Sequence, residues 1–408
     1  MTSTKYLLVG GGLASAEAAK QISQRDRGAP LLLVSDEPHL PYNRPPLSKE
    51  FLRGQEAREK LFFVQEGFYK ESNVDTRLGA RAEALDLSAR SVTLSNGETV
   101  TFEKLLLATG GTPTRLSLPG SDRQGVYYLR TVDDSEAIGR EAVAGRRAVL
   151  IGAGFIGLEV AGSLAQKGVQ VTVVEALSHI WARFADETLA SYFQRYCEER
   201  GVRFITSEIV VEIKGGQRPS AAVTRSGQEL PCDFVCIGVG IRPNVDLAQK
   251  AGLEVSNGVH VNERMQTSHP DVYAAGDVAN FPDPVFGKRR RVEHWGHAEY
   301  GGQIAGRNMA GDNARYDLLT YVWSDIFDLH LEFAGDEAEH DQTLLRGRFE
   351  DGSFTVLFLQ RGVLRAYFAV NTDAREFPAY QRLIRRKKDL SDLTEKLRDR
   401  SVNVRTLL

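Results

Sequence analysis

Two glycine-rich turns and the acids downstream of them carry the clearest chemistry in this chain. Gly10-Gly-Gly12-Leu-Ala14-Ser15 follows the apolar run Tyr6-Leu-Leu-Val9, and Gly152-Ala-Gly154-Phe-Ile156-Gly157 follows Ala148-Val-Leu-Ile151. After each turn the sequence enters a helical run and returns to a second apolar stretch, Leu31-Leu-Leu-Val34 or Val171-Thr-Val-Val174. An acid closes each return: Asp36, 26 residues beyond Gly10, and Glu175, 23 residues beyond Gly152. The chemistry is capture of a dinucleotide. The first glycine makes the tight bend, and the second lets backbone N–H groups approach a pyrophosphate at a helix N-terminus. The third position must be small so that helix and strand pack. Gly157 meets that need in the second unit, while Ser15 stands there in the first and is small enough to serve. Each acid suits a ribose hydroxyl. One such turn arises often by chance; two in the same strand–turn–helix–strand–acid order are specific. A third feature is Glu159, in Phe155-Ile-Gly-Leu-Glu159-Val-Ala-Gly. A carboxylate at so apolar a helix start is costly unless a partner meets it.

Two βαβ units of parallel sheet are needed to hold these turns, and 408 residues allow two or three domains. From about residue 318 the pattern changes. Leu329–Phe333, Leu344–Phe349, Phe354–Phe358 and Leu364–Phe368 read as strands, with tight turns at Asp351-Gly352 and Arg361-Gly362 and a polar helical tail beyond. The expected class is α/β, with two Rossmann-like dinucleotide-binding domains and a C-terminal α+β domain. The chain is 42% hydrophobic and 26% charged, which excludes a disordered protein. Its net charge of −3 gives no general argument for nucleic-acid binding. No run approaches the roughly 18 apolar residues of a membrane helix. The first predicted strand begins near Lys5 and leaves no room for a leader. Cys197, Cys232 and Cys236 are too few for a disulfide framework, so a reducing, cytoplasmic location is expected. Cys197 falls on the stripe Leu189, Tyr192, Phe193, Tyr196, Cys197 of a core-facing helix. Cys232 and Cys236, in an extended run, are about 13 Å apart and cannot bridge. All three read as packing residues.

Further motifs match one family. Leu105-Leu-Leu-Ala-Thr109-Gly110-Gly111 and Val272-Tyr-Ala-Ala-Gly276-Asp277 resemble the ATG and GD motifs of two-dinucleotide flavoproteins. Pro41-Tyr-Asn-Arg44-Pro-Pro-Leu-Ser-Lys49 and Trp323-Ser324-Asp325 resemble those of the NADH-dependent ferredoxin reductases: the putidaredoxin, rubredoxin and dioxygenase reductases, with apoptosis-inducing factor and monodehydroascorbate reductase as relatives. Enzymes of the glutathione-reductase type are disfavoured, because Arg44–Lys49 stands where their redox CxxxxC would be. The resemblance implies an FAD domain in two pieces (1–113 and 239–317), an NAD(H) domain between them (114–238) and a C-terminal interface domain (318–408). It places Gly12 and Ala14 at the FAD pyrophosphate and Asp36 at its ribose. It also makes Arg44, Lys49, Ala82, Arg130, Asp277 and Trp295 further FAD contacts. Asp277 suits a ribityl hydroxyl. Glu37, Thr109, Gly110, Ile156, Gly238, Gly276 and Glu293 join the cofactor-binding set. Glu175 implies NADH over NADPH, because a carboxylate repels a 2′-phosphate; Arg183 matches an NAD contact. Lys49, Glu159 and Trp323 are the implied catalytic residues, with the Lys49–Glu159 pair beside the reactive flavin edge and Trp323 near it.

The resemblance also implies an acceptor: a small acidic [2Fe–2S] ferredoxin, with this chain a monomer or weak homodimer. Two basic runs, Lys288-Arg-Arg-Arg291 and Arg385-Arg-Lys-Lys388, are candidates to steer it. Two departures point elsewhere. Arg291-Val-Glu293-His294-Trp295-Gly-His297 is similar to the version in apoptosis-inducing factor and monodehydroascorbate reductase. Ile326 stands where many ferredoxin reductases have glutamine. A monodehydroascorbate or quinone reductase and a redox-sensing interaction protein are therefore the alternatives. His294 and His297 lack further ligands in sequence, so no metal site is expected.

Overall fold

The computed structural model describes residues 2–63, 66–182 and 185–408. Both apolar repeats become parallel sheets. In the first, Thr2–Val9 lies between Leu31–Ser35 and Thr99–Leu107, with Val74–Leu78 beyond Leu31–Ser35. The long strand Thr99–Leu107 is shared. Its C-terminal half pairs parallel with Val272–Ala274, and its start pairs antiparallel with Ser91–Leu94, which Ala82–Asp86 extends. In the second sheet the order is Val202–Ile205, Gln170–Val174, Arg147–Ile151, Phe234–Ile237, Val126–Tyr128, all parallel. Strands covered on both faces need unbroken apolar runs, and Leu31–Ser35 and Phe234–Ile237 are buried throughout. The chain crosses between the sheets through Gly111–Pro113 and Ile241–Pro243, which pair antiparallel with each other.

The four strands expected after residue 318 form, together with Tyr321–Ile326, a five-stranded antiparallel sheet. Its order is Tyr321–Ile326, Leu329–Gly335, Val363–Val370, Ser353–Gln360, Gln342–Arg348. Tyr321–Ile326 was not expected as a strand; it carries Trp323-Ser324-Asp325 along an open sheet edge. The tail is helical, as expected, but not polar on every face. Phe377–Arg386 buries Phe377, Tyr380, Leu383 and Ile384 against one face of the sheet.

The other face has no core of its own. Ile326, Leu331, Phe333, Phe354 and Phe368 belong to the same buried cluster as Leu189, Phe193 and Trp181 of the second dinucleotide unit. Phe193 and Trp181 lie 5.7 and 6.1 Å, centroid to centroid, from Phe368, and Tyr192 lies 5.0 Å from Phe354. The first dinucleotide unit has a separate core around Leu7, Leu33, Leu106 and Ile304. Cys197 sits in the shared core, as its helical stripe predicts. Burial raises the Cys197 thiol to about 12 and that of Cys232 to about 11, and raises Cys236 as well, so all three are unreactive packing groups.

Candidate active site

The two turns share one geometry. Gly10 and Gly152 have φ of +126° and +102°, and a side chain on either would strike a carbonyl, of Ala108 or Gly238. Their N–H groups bond to Val34 and Val174 at 2.8 and 2.9 Å. Each helix then begins, at Leu13 and Phe155, with its first N–H groups directed into the groove. Gly12 and Gly154 face open space. A Cβ on Gly157 would lie 2.2 Å from the Gly152 carbonyl, whereas Ser15 fits fully buried in the first unit. These are cradles shaped for a pyrophosphate.

The register also separates the two acids. Val34 and Val174 are equivalent, so Ser35 stands where Glu175 does. Glu37 N–H bonds to Ser35 Oγ as Leu177 N–H bonds to Glu175 Oε1. Glu175 Oε2 accepts a further bond, at 2.7 Å, from Ala153 N–H in the second turn. Asp36 lies one residue beyond and is exposed. Glu37 turns inward instead, accepting from Tyr42 at 2.5 Å and Arg44 at 2.6 Å. Gly79 N–H reaches the Glu37 carbonyl, which brings Ala82, three residues on, to this end of the groove.

From there the expected FAD contacts form one connected run. Arg44 donates to the Arg130 carbonyl at 2.5 Å, and Arg130 bonds Asp277 at 2.8 Å. Thr109 and Gly110 are held by Asn244, so that Gly110 lies against the Arg130 guanidinium. Gly276, in the left-handed region, rests on the Ala14 side chain and joins this run to the first turn. Arg291 bonds the Asp277 carbonyl and pairs with Glu293, while Trp295 donates to Asn43 at 2.9 Å. Tyr42, Asn43 and Asn244 were missed in the sequence. Tyr42 and Asn43 lie inside the quoted Pro41–Lys49 motif, but nothing in their types distinguishes them from ordinary turn residues. A pyrophosphate cradle, two arginines and hydroxyl-accepting carboxylates along one groove fit FAD.

The second groove is bordered by Ile156, Leu177 and Val239, apolar side chains left 47%, 40% and 37% exposed. Exposed apolar groups beside a phosphate cradle suit the flat faces of a nucleotide. Gly238 backs the turn, bonding the Ile151 carbonyl. Arg183 lies outside the described residues.

The grooves meet at a buried ion pair. Lys49 Nζ lies 2.9 Å from Glu159 Oε1, and both side chains are 4% exposed. Lys49 also donates to the Pro45 carbonyl and sits 5.1 Å from the centroid of the Trp323 ring. Lys49 comes from the first unit, Glu159 from the second-turn helix Phe155–Gln166, and Trp323 from the edge strand of the C-terminal sheet. The fold thus brings together three residues spaced across most of the chain.

The pyridine nucleotide-disulphide oxidoreductase model matches residues 4–302, and the reductase C-terminal model matches residues 321–408. The chain belongs to the pyridine nucleotide-disulphide oxidoreductase family. It is a flavoprotein reductase, and the family's cofactors are FAD and a nicotinamide dinucleotide. It is similar to the ferredoxin–NAD(+) reductase component of the anthranilate 1,2-dioxygenase system of Burkholderia cepacia, 34% identical over 94% of this chain and 95% of that one. Among solved structures it resembles the ferredoxin reductase for the CYP199A2 system from Rhodopseudomonas palustris, with a TM-score of 0.93 and 32% identity over 99% of each chain. It also resembles the covalent putidaredoxin reductase–putidaredoxin complex, with a TM-score of 0.95 and 30% identity over 100% of this chain and 98% of that one.

The family member's two basic runs behave differently, and one expectation is corrected. Lys288 pairs with Asp336, Arg290 with Asp283 and Arg291 with Glu293, while Arg289 caps the Val261 and Asn280 carbonyls. That run is spent on partners within the first unit, with Lys288 and Arg290 also tying it to Asp336 and the Gly335 carbonyl of the C-terminal domain. Among the described residues, Arg385 and Arg386 donate to main-chain oxygens, those of Asp317 and Leu408, and stay exposed beside Lys387. Their charge is not cancelled.

His294 and His297 support the flavin-side groove. His297 is fully buried, stacked on Phe281 and 2.7 Å from the Tyr316 hydroxyl. Burial pushes its imidazole down to about 4 and that of His294 to about 3. Since the folded value for His297 lies below the ordinary 6.5, its contribution is complete above pH 6.5 and is lost as the pH falls toward 4. The unfolded chain then takes up a proton that the folded site refuses, at about 1.4 kcal/mol per pH unit. Thermal unfolding of the native chain is expected to steepen with acid over that window, and a His297→Gln variant to lose this part of the slope.

Proposed function

We propose that this chain takes a hydride from NADH and passes electrons singly to a small acidic [2Fe–2S] ferredoxin. The observation that carries the reading is the convergence of Lys49, Glu159 and Trp323, one from each module, where the two dinucleotide grooves meet. The relatives named as ferredoxin reductases, and the solved neighbour joined to putidaredoxin, support the acceptor. In this reading residues 1–113 and 239–317 hold FAD, 114–238 hold NADH, and 318–408 face the acceptor.

FAD, when bound, supplies a centre that accepts a hydride and gives up electrons one at a time. Gly10, Gly12 and Ala14 would take its pyrophosphate, and Asp36 and Glu37 the adenosine end. Arg44, Ala82, Thr109, Gly110, Arg130, Gly276, Asp277, Glu293 and Trp295 would line the rest. Gly152, Gly154, Gly157 and Gly238 would receive the NADH pyrophosphate against Ile156. Glu175 keeps lone pairs free for the ribose 2′-hydroxyl and repels the extra phosphate of NADPH. Lys49, screened from water, would supply a positive charge to a bound flavin as that group gains negative charge. Glu159 fixes that ammonium and would border the nicotinamide site. Trp323 covers Lys49 from the C-terminal domain. A cytoplasmic site of action goes with the three unpaired cysteines. No helix among the described residues is long and apolar enough to cross a membrane.

The test is rapid mixing of the FAD-loaded chain with NADH, followed by an added [2Fe–2S] ferredoxin. A higher kcat/KM for NADH than for NADPH and prompt reoxidation by the ferredoxin are expected. Turnover with monodehydroascorbate and none with any ferredoxin would overturn the acceptor. The ferredoxin-dependent rate should fall several-fold as ionic strength rises from about 0.01 to 0.15 M, over which the Debye length contracts from about 30 to 8 Å. A rate indifferent to salt removes Arg385–Lys388 from the encounter.

A further inference from the structure

Glu159 is held by more than Lys49. Its Oε2 accepts the Ser48 hydroxyl at 2.5 Å, and its Oε1 accepts the Ser324 hydroxyl at 2.5 Å alongside the ammonium. All four residues are buried. The two hydroxyls come from opposite modules: Ser48 from the 3-10 turn Pro45–Ser48 of the first unit, Ser324 from the edge strand Tyr321–Ile326 of the C-terminal sheet.

Ser48 is gripped twice by one helix face. Its hydroxyl donates to Glu159, and its carbonyl accepts from Ser163 Oγ at 2.6 Å. Glu159 and Ser163 are four residues apart, one turn along the same side. Arg53 donates to Ser163 Oγ at 3.3 Å, so the Ser163 proton is committed to Ser48. Ser324 closes the carboxylate from the other side. Its neighbour Trp323 stands over Lys49, so adjacent residues of one strand bracket the ion pair.

A glutamate held only by one ammonium would pivot about its terminal bond and carry the lysine with it. A hydroxyl on each oxygen removes that freedom and adds no charge to the buried pair. We infer that Ser48 and Ser324 are positioning residues for hydride transfer, and that through Ser324 the C-terminal domain completes the NADH site as well as facing the acceptor. The inference rests on the assignment of Lys49 and Glu159 to the flavin edge.

Two measurements test it. In the FAD-loaded chain, Ser324→Ala and Ser48→Ala should each slow single-turnover reduction by NADH about tenfold, the loss of one hydrogen bond to a charged group. The dissociation constant for NADH should stay within about twofold, which a general loosening of the site would not preserve. Ser324→Thr, which keeps the hydroxyl, should restore most of the rate. Separately, and without NADH, acylation of Lys49 followed by mass spectrometry reads how firmly the ammonium is held. Labelling should rise about tenfold in the double alanine variant and not in Ser324→Thr. Native rates and native Lys49 labelling in the double variant would overturn the inference, as would a Ser324→Thr chain no faster than Ser324→Ala. A native chain that NADH fails to reduce would instead sink the proposed function, with the labelling still deciding the part played by the serines.

Discussion

Lys49→Ala slows single-turnover reduction of the bound flavin by NADH about 100- to 1,000-fold, while FAD content changes little. The size follows from what the ammonium does. A preorganised charge in a site closed to water, facing a centre that gains negative charge, stabilises the transition state far more than the ground state; removal of one such donor typically costs about this factor. In the proposed reading, retention of FAD would rest on a longer set of contacts, from the Gly10 turn through Arg44, Arg130 and Asp277, to which Lys49 would add one member. The variant also leaves Glu159 buried without its cation. A paired Lys49→Ala/Glu159→Gln variant controls for that, since it removes the orphaned charge but not the loss of rate. Stopped-flow absorbance and FAD content decide the matter. Reduction as fast as in the native chain would refute the role of Lys49.

The second large effect is on stability. Arg346 has 2% of its side chain exposed, and its guanidinium directs all five N–H groups inward. Two go to Glu376, and three to the Leu397, Asp399 and Val402 carbonyls. It therefore fastens the last turns of the chain to the C-terminal sheet. Arg346→Ala leaves three carbonyls unmet around a cavity and Glu376 held by Tyr380 alone, and it should lower unfolding free energy by about 3–5 kcal/mol. Denaturant unfolding measures the loss, and hydrogen exchange should show it concentrated beyond Leu390. Arg346 lies on the far edge of the sheet from Trp323, four strand spacings or about 19 Å away. Reduction by NADH in a chain kept cold should consequently be near native.

Much of this was legible in the residues. The two turns announce themselves because a pyrophosphate beside a helix start tolerates few side chains, and Gly10, Gly152 and Gly157 are fixed by contacts that a Cβ would violate. Apolar runs of four or five residues specify parallel strands because both faces of such a strand are covered. Lys49 and Glu159 became partners only through resemblance, since no local rule joins residues so distant in the chain. Ser48 and Ser324 stood inside quoted motifs and were passed over. A serine hydroxyl bonds anything nearby, so its role appears only once the fold supplies the carboxylate. Lys288–Arg291 misled for the opposite reason: a basic run reads as a solvated face until Asp336, Asp283 and Glu293 are seen to neutralise it. The strand Tyr321–Ile326 mixes Trp, Ser and Asp, because its two faces meet a helix and an ion pair rather than a uniform core.

The aromatic wall of Trp181, Phe193 and Phe368 limits how such an enzyme can be re-engineered. A hybrid made by splicing residues 318–408 of a cousin onto this chain would press an unfamiliar sheet against rings cut for another tenant. To keep the seam dry, the splice would have to bring the Leu189–Cys197 helix face along with it. Exchanging the C-terminal module therefore means transplanting part of the second dinucleotide unit along with it.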